Sequence, residues 1–218
     1  MKFSAIIVAA GSSTRFGAPK QFVEIAGKTV LQHSIDAFTG SVSQVIVVVS
    51  QQVFDDLDKH LDLSEFESPP DFVVGGDSRS ISVRNGLKKL DPNSAGVLVH
   101  DGARPLVSQE LIIRTKEAIE AGNEVVIPVL ELSESLYTDA GEPLERSSFR
   151  VAQTPQGFTR AAIEKAHHNA EAATDDASLA VAAGYDVNLI VGSIDNLKVT
   201  FPSDIAAVRH LLAKQKNT

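Results

Sequence analysis

The chain has 218 residues, no cysteine, no tryptophan, and 28 acidic side chains against 20 basic, a formal charge of −8. That length suits one domain with at most a small appendage, and it buries enough core to fold without disulfide or metal staples. The absence of cysteine excludes disulfide frameworks, thiolate metal sites and cysteine nucleophiles, while the acidic balance disfavours nucleic acid and anionic membranes unless the basic residues gather in one place.

The first apolar run, Phe3 to Ala9, is β-branched and too short for a helix, so it reads as a buried strand. The apolar stretch Ala5 to Ala10 is also shorter than a signal core, and Gly-Ser-Ser-Thr-Arg follows it. Since no stretch approaches the roughly 20 apolar residues that span a bilayer, the expected location is the cytoplasm. Further strands are predicted at Gln44–Val49, Phe72–Val74, Gly96–His100 and Glu124–Val129. Between them the apolar spacing predicts helices over Thr29–Phe38, Gln52–Leu61, Arg79–Leu90 and Ser108–Ala121, the last with a capped start at Ser108. Alternating strand and helix implies a parallel sheet covered on both faces.

The alternation then stops. Residues 131–150 are polar, with a turn signal at Asp139-Ala-Gly, and Leu136, Tyr137 and Leu144 would flank a hairpin arm. Such an arm has too little apolar surface to stand alone, and a partner subunit is one candidate for its support. Helices over Arg160–Ala173, Asp175–Ala183 and Pro202–Lys214 and strands over Val187–Val191 and Leu197–Thr200 complete the expected order.

Five segments carry candidate chemistry. Ala9-Ala-Gly-Ser-Ser-Thr-Arg-Phe-Gly-Ala-Pro-Lys follows the first strand, where open α/β sheets bind ligands. Gly11 permits close backbone approach, Ser12 to Thr14 offer donors to phosphate, and Arg15 and Lys20 add charge; an ordinary βα turn explains the same composition equally well. A dinucleotide fingerprint is excluded by Ser13, and a P-loop ending at Gly27-Lys-Thr by Phe22.

The second segment, Val99-His-Asp-Gly-Ala-Arg-Pro105, puts Asp101 at a strand end, suited to a hydrated Mg²⁺ on phosphates. Arg104 would pair with that Asp or with an anionic ligand, and a structural Asp–Arg pair is the equal alternative. His100 has no second ligand at metal spacing, so packing or hydrogen bonding is its expected role. In Gln153-Thr-Pro-Gln-Gly-Phe158, a residue before proline is biased to extended backbone, which would expose the Thr154 hydroxyl. Thr174-Asp-Asp-Ala-Ser reads as a helix cap, and Lys198, isolated in an apolar run, as a solvated edge lysine.

Together with Gly75-Gly-Asp-Ser-Arg-Ser-Ile-Ser-Val83, these segments occur in an order and spacing that resembles the 2-C-methyl-D-erythritol 4-phosphate cytidylyltransferases, from about residue 3 to about residue 212. The resemblance implies an α/β, Rossmann-like nucleotidyltransferase domain over residues 1–218, with a mostly parallel sheet, helices on both faces and a protruding β-arm at 131–150 that dimerises. It implies CTP and a sugar-alcohol phosphate as substrates, Mg²⁺ as cofactor, and a homodimer with neither nucleic acid nor membrane as partner.

Carried over by position, Arg15 and Lys20 would act on the triphosphate, and Arg146, from the partner's arm, and Lys198 on the acceptor phosphate. Ala9, Ala10, Gly11, Gly76, Asp77 and Ser82 would hold the nucleotide. Asp101, Arg104, Ser135 and Thr154 would line the substrate pocket, with Asp101 also the nearest metal contact.

One segment departs from the pattern. After Pro128-Val129, Glu134-Ser135 stands where the family has Asp-Thr, and Tyr137 where it has Lys. In that longer segment the chain resembles the ribitol-5-phosphate cytidylyltransferases, which implies a pentitol phosphate as the alternative acceptor. A non-catalytic nucleotide-binding regulator is the alternative of a different class.

Overall fold

The β-branched runs pair side by side and largely in parallel, as their alternation with helices implies. In the computed structural model, which describes residues 1–11, 16–66, 68–168 and 173–215, β1 (Phe3–Val8) is followed by β2 (Glu24–Ile25), β3 (Lys28–Thr29), α1 (Val30–Phe38) and β4 (Gln44–Val49). Then come α2 (Gln51–Asp55), α3 (Leu57–His60), β5 (Asp71–Val74), α4 (Arg79–Leu87), β6 (Gly96–Asp101), α5 (Gln109–Glu120) and β7 (Val125–Leu130). The remaining elements are β8 (Leu136–Tyr137), β9 (Pro143–Leu144), β10 (Val151–Ala152), β11 (Gln156–Thr159), α6 (Arg160–His168), α7 (Asp176–Ala182), β12 (Asn188–Val191) and α8 (Asp204–Gln215).

β1 lies between β4 and β6 and pairs with both in parallel, and β5 extends the sheet beyond β4. On the other side β11 runs antiparallel between β6 and β7. β10 pairs antiparallel with the far end of β7, whose opposite edge is closed by parallel β12. Period-two alternation splits the core in two. Ala5, Ile7, Val47 and Leu98 face Leu31, Ile35 and Phe38 of α1 and Leu111 and Ile112 of α5. Ile6, Ile46, Val97 and Val99 face Val83 of α4, Ala162 and Ile163 of α6, and Ala180 of α7. Helices therefore cover both faces, as the alternation of elements implies. The Ser108 hydroxyl accepts the Leu111 N–H at 3.2 Å, the cap expected for α5.

Three expectations need correction. The helix expected over Gln52–Leu61 breaks at Asp56, which leaves helical backbone with φ −126° and ψ 32°. Consecutive aspartates favour local hydrogen bonding over helix propagation, and Asp56 instead meets the Lys59 ammonium at 2.6 Å. The strand expected at Leu197–Thr200 does not form; that segment is irregular and tied down by side chains from elsewhere. β11, with Gln, Gly, Phe and Thr, has no counterpart among the expected strands. Pairing on both edges overrides its weak strand propensity, and Gly157 is needed there because a Cβ would lie 2.7 Å from Thr115 of α5.

Residues 131–150 form an exposed excursion in which β8 and β9 pair antiparallel, Leu136 opposite Leu144 and Tyr137 opposite Pro143.

Candidate active site

Parallel strands deliver their carboxyl ends to one edge of the sheet, and ligands bind there in open α/β folds. Here four strand ends are stitched together by three backbone bonds: Ala9 N–H to Val48 carbonyl at 2.7 Å, Gly75 N–H to Val49 carbonyl at 2.7 Å, and Gly102 N–H to Val8 carbonyl at 2.9 Å. The close approach demands glycine. A Cβ on Gly75 would fall 2.6 Å from the Ala10 Cβ, whereas one on Gly11 would meet open space. The result is a cleft of about 540 Å³, walled by Ala9, Ala10, Gly11, Phe16, Lys20, Gln21, Gly76, Asp77, Arg79, Ser82, Asp101 and Lys198 among others.

Its charge centre is Asp101, at the end of β6. The carboxylate meets Lys198 Nζ at 2.8 Å, Arg79 at 3.5 Å and Arg104 at 3.7 Å. Burial alone would raise its pKa, but these cations, Lys198 foremost, outweigh burial and hold it well below the usual carboxylate range. Asp101 is thus a fixed negative charge and a poor proton acceptor. Lys20 also lines the cleft, its ammonium donating to the Val199 carbonyl at 2.6 Å, one residue from Lys198. The cleft keeps a positive surplus within an acidic chain.

The loop that carries Lys198 is held by a buried polar network. Arg104 donates to the Asn196 carbonyl at 2.7 Å, the Asn196 amide donates to the Thr154 carbonyl at 2.8 Å, and Val199 N–H reaches the Ala103 carbonyl at 2.8 Å. Gln153 clamps Ser193 from both sides, donating to its carbonyl at 2.8 Å and accepting its N–H at 3.0 Å.

Directions in the neighbouring chain follow from donor chemistry. The Arg104 carbonyl can only accept, so His100 carries its proton on Nε2, 3.1 Å away. His100 Nδ1 then accepts the Thr154 hydroxyl proton at 3.0 Å, and the Thr154 oxygen accepts the Asp101 N–H at 3.1 Å. Burial pushes His100 down to about 4, despite the pull of Asp101, so the ring is neutral at neutral pH. Both its nitrogens are spent, which removes it as a general base.

A family model for "IspD: 2-C-methyl-D-erythritol 4-phosphate cytidylyltransferase" matches residues 3–214. The chain belongs to this family. It is 42% identical to the 2-C-methyl-D-erythritol 4-phosphate cytidylyltransferase of Cereibacter sphaeroides, covering 98% of each chain. It is 39% identical to a bifunctional IspD/IspF enzyme of Paracoccus denitrificans over 96% of this chain, which spans only 56% of that longer protein. Among solved structures, the 2-C-methyl-D-erythritol 4-phosphate cytidylyltransferase of Thermus thermophilus superposes with a TM-score of 0.81 at 32% identity, covering 97% of this chain and 98% of that one.

Against the site residues inferred from the cytidylyltransferase resemblance, the geometry sorts clearly. Lys20, Lys198, Asp101, Ala9, Ala10, Gly11, Gly76, Asp77 and Ser82 share the cleft wall. The Ser82 hydroxyl is committed locally, accepting the Gly76 N–H at 3.1 Å and donating to the Ser78 carbonyl at 3.0 Å. Arg104 and Thr154 lie buried behind the wall, where they brace it. The expectation that Thr154 exposes its hydroxyl is therefore corrected: the hydroxyl is enclosed between His100 and Asp101. Lys198 is likewise more than a solvated edge lysine. Ser135 and Arg146 sit on the exposed arm and are not part of the wall, and the Arg146 guanidinium donates to the Ser133 carbonyl. Arg15, with Ser12 to Thr14, lies outside the described residues.

The cation that sequence reasoning passes over is Arg79. Its signal is present: it is the first residue of α4, where the helix dipole disfavours positive charge, so some other interaction has to hold it there.

The donor set does not fit a resident metal ion. Asp101, the expected contact, is ringed by three cations, and the described residues contain no group of three His, Cys, Asp or Glu arranged to hold one. No helix among the described residues is long and apolar enough to cross a membrane.

Proposed function

We propose that this chain transfers CMP from CTP to the phosphate of 2-C-methyl-D-erythritol 4-phosphate, releasing pyrophosphate. The single observation that carries the reading is a cleft rich in cations and poor in bases, in a chain of this family. An oxygen of the acceptor phosphate forms a bond to the α-phosphorus, and the bond from that phosphorus to the β-phosphate's bridging oxygen breaks. A phosphomonoester has a second pKa of about 6, so the attacking oxygen is already ionised at neutral pH. What the protein must supply is alignment of two polyanions and neutralisation of the developing charge.

Lys20 serves the triphosphate, and Lys198 the acceptor phosphate. Mg²⁺ enters as part of the substrate, on the phosphates of CTP, since Mg²⁺ keeps waters and takes few protein carboxylates. The working form is a homodimer in which the arm of one subunit brings Arg146 to the cleft of the other. The arm's exposed apolar side chains, Tyr137, Leu144 and Phe149, support that reading because they need cover. The cytoplasm, where CTP is drawn upon, is its expected place of action.

The test is pyrophosphate release with each of the four ribonucleoside triphosphates and Mg²⁺, paired with 2-C-methyl-D-erythritol 4-phosphate or ribitol 5-phosphate. Release only with CTP and the methylerythritol phosphate is expected. Release only with ribitol 5-phosphate would reassign the acceptor, the segment at 134–137 being the cause. No release under any pairing would leave a nucleotide-binding regulator.

A further inference from the structure

The acidic pair in Thr174-Asp-Asp-Ala has two separate roles. Asp175 caps α7, accepting the Ser178 N–H at 3.0 Å. Asp176 caps nothing, yet it is fully buried, a costly place for a carboxylate without partners. Its Oδ1 accepts from Nε2 of His167 on α6 at 3.0 Å, and its Oδ2 pairs with the Arg79 guanidinium on α4. The other terminal nitrogen of Arg79 reaches Asp101 at 3.5 Å, and Asp101 meets Lys198 at 2.8 Å. A continuous line of polar contacts runs from α6 into the cleft.

The turn that presents Asp176 is fixed to the sheet. The Gln156 amide on β11 donates to Asp175 at 2.8 Å and accepts the Ala177 N–H at 3.1 Å. His167 is buried too, and its Nδ1 has no hydrogen-bond partner among the described residues, so the ring's one hydrogen bond there is the one to Asp176. Helix capping already has its residue in Asp175. What the buried carboxylate adds is orientation: a planar guanidinium held at one corner has its other corner aimed.

We propose that Asp176, backed by His167, is a positioning residue that holds Arg79 at the cleft wall, in the orientation from which it meets Asp101 and the bound nucleotide. The inference rests on the reading of the cleft as a CTP site. Asp176 touches no substrate; it acts through Arg79.

The test is a double-mutant cycle on the full chain, reading the dissociation constant for CTP with Mg²⁺ by titration calorimetry. Urea unfolding confirms that each variant is folded under assay conditions. Asp176→Asn weakens CTP binding about tenfold in the wild-type background and less than about twofold in the Arg79→Ala background, since contacting residues couple. Equal penalties in both backgrounds would mean that Asp176 only supports the fold, and would overturn the proposal. If Asp176→Asn does not fold, His167→Gln runs the same cycle, with a loss of about threefold that disappears without Arg79. Wild-type protein that binds no CTP would remove the reading of the cleft and this inference with it. Binding with additive penalties removes the inference alone.

Discussion

Lys198→Ala lowers kcat about 10²–10³-fold, the usual cost of removing one preorganised partner of transition-state charge. The ammonium meets the Asp101 carboxylate at 2.8 Å, and its side chain is 41% exposed toward the substrate space. Its loop is held by Arg104, Asn196, Gln153 and Ala103, so the charge is presented by a fixed backbone rather than by a mobile one. Removing it leaves Asp101 still paired with Arg79 and Arg104. Stability therefore falls by about 1 kcal/mol, because the lysine end of the pair is half-exposed and two cations still hold the mostly buried carboxylate. The signature is a large kinetic loss, with acceptor KM also raised, on a nearly unchanged unfolding midpoint. Lys20→Ala gives a loss of similar size, but without the rise in acceptor KM, because Lys20 serves the triphosphate. Steady-state kinetics with each substrate varied in turn separates the two, and wild-type turnover in both would remove them from the reaction.

Arg146→Ala inactivates the enzyme by about the same factor, and its loss is repaired by mixing. In a dimer whose arms cross, a subunit carrying Arg146→Ala still receives the partner's arm, and a subunit carrying Lys198→Ala still lends its own. Random reassortment makes half of the dimers mixed, each with one intact cleft, so about a quarter of wild-type activity returns. An arm that served its own subunit would return none, since every cleft would then lack one of the two residues. The assay is pyrophosphate release after co-unfolding and refolding of the two inactive proteins, with each alone as control.

The parts of the fold legible in the sequence are those where local pattern and tertiary context agree. β1, β4 and β6 read from Val and Ile runs because each is buried on both faces, where nothing forces an alternation of polar residues. β11 is not legible, since Gln156, Gly157 and Thr159 carry no strand signal and the pairing comes from β6 and β7. The helix after Ser50 reads too long because spacing of apolar residues says nothing about where Asp56 turns away. Lys198 reads locally as an edge lysine and gains its role only from the family resemblance, but in the site Lys20 and Asp101 are visible as chemistry beside strand ends or turns. Arg79, Asp176 and His167 are not, because their meaning lies in contacts across as many as 97 residues of chain. Thr154 escapes local reading for the same reason: the dipeptide rule for a residue before proline gives its backbone preference but not the His100 ring that waits for its proton.

Among the described residues the cleft is lined by fixed charges and holds no histidine or cysteine, which favours direct displacement at the α-phosphorus as the route to product. Stereochemistry decides whether that route is taken. A single diastereomer of CTP carrying sulfur on the α-phosphorus is turned over with 2-C-methyl-D-erythritol 4-phosphate, and the configuration at phosphorus in the product is determined. A single in-line displacement gives inversion, and inversion is expected here. Retention would require two displacements through a covalent nucleotidyl-protein intermediate, and the cleft described above would then not be the whole of the chemistry.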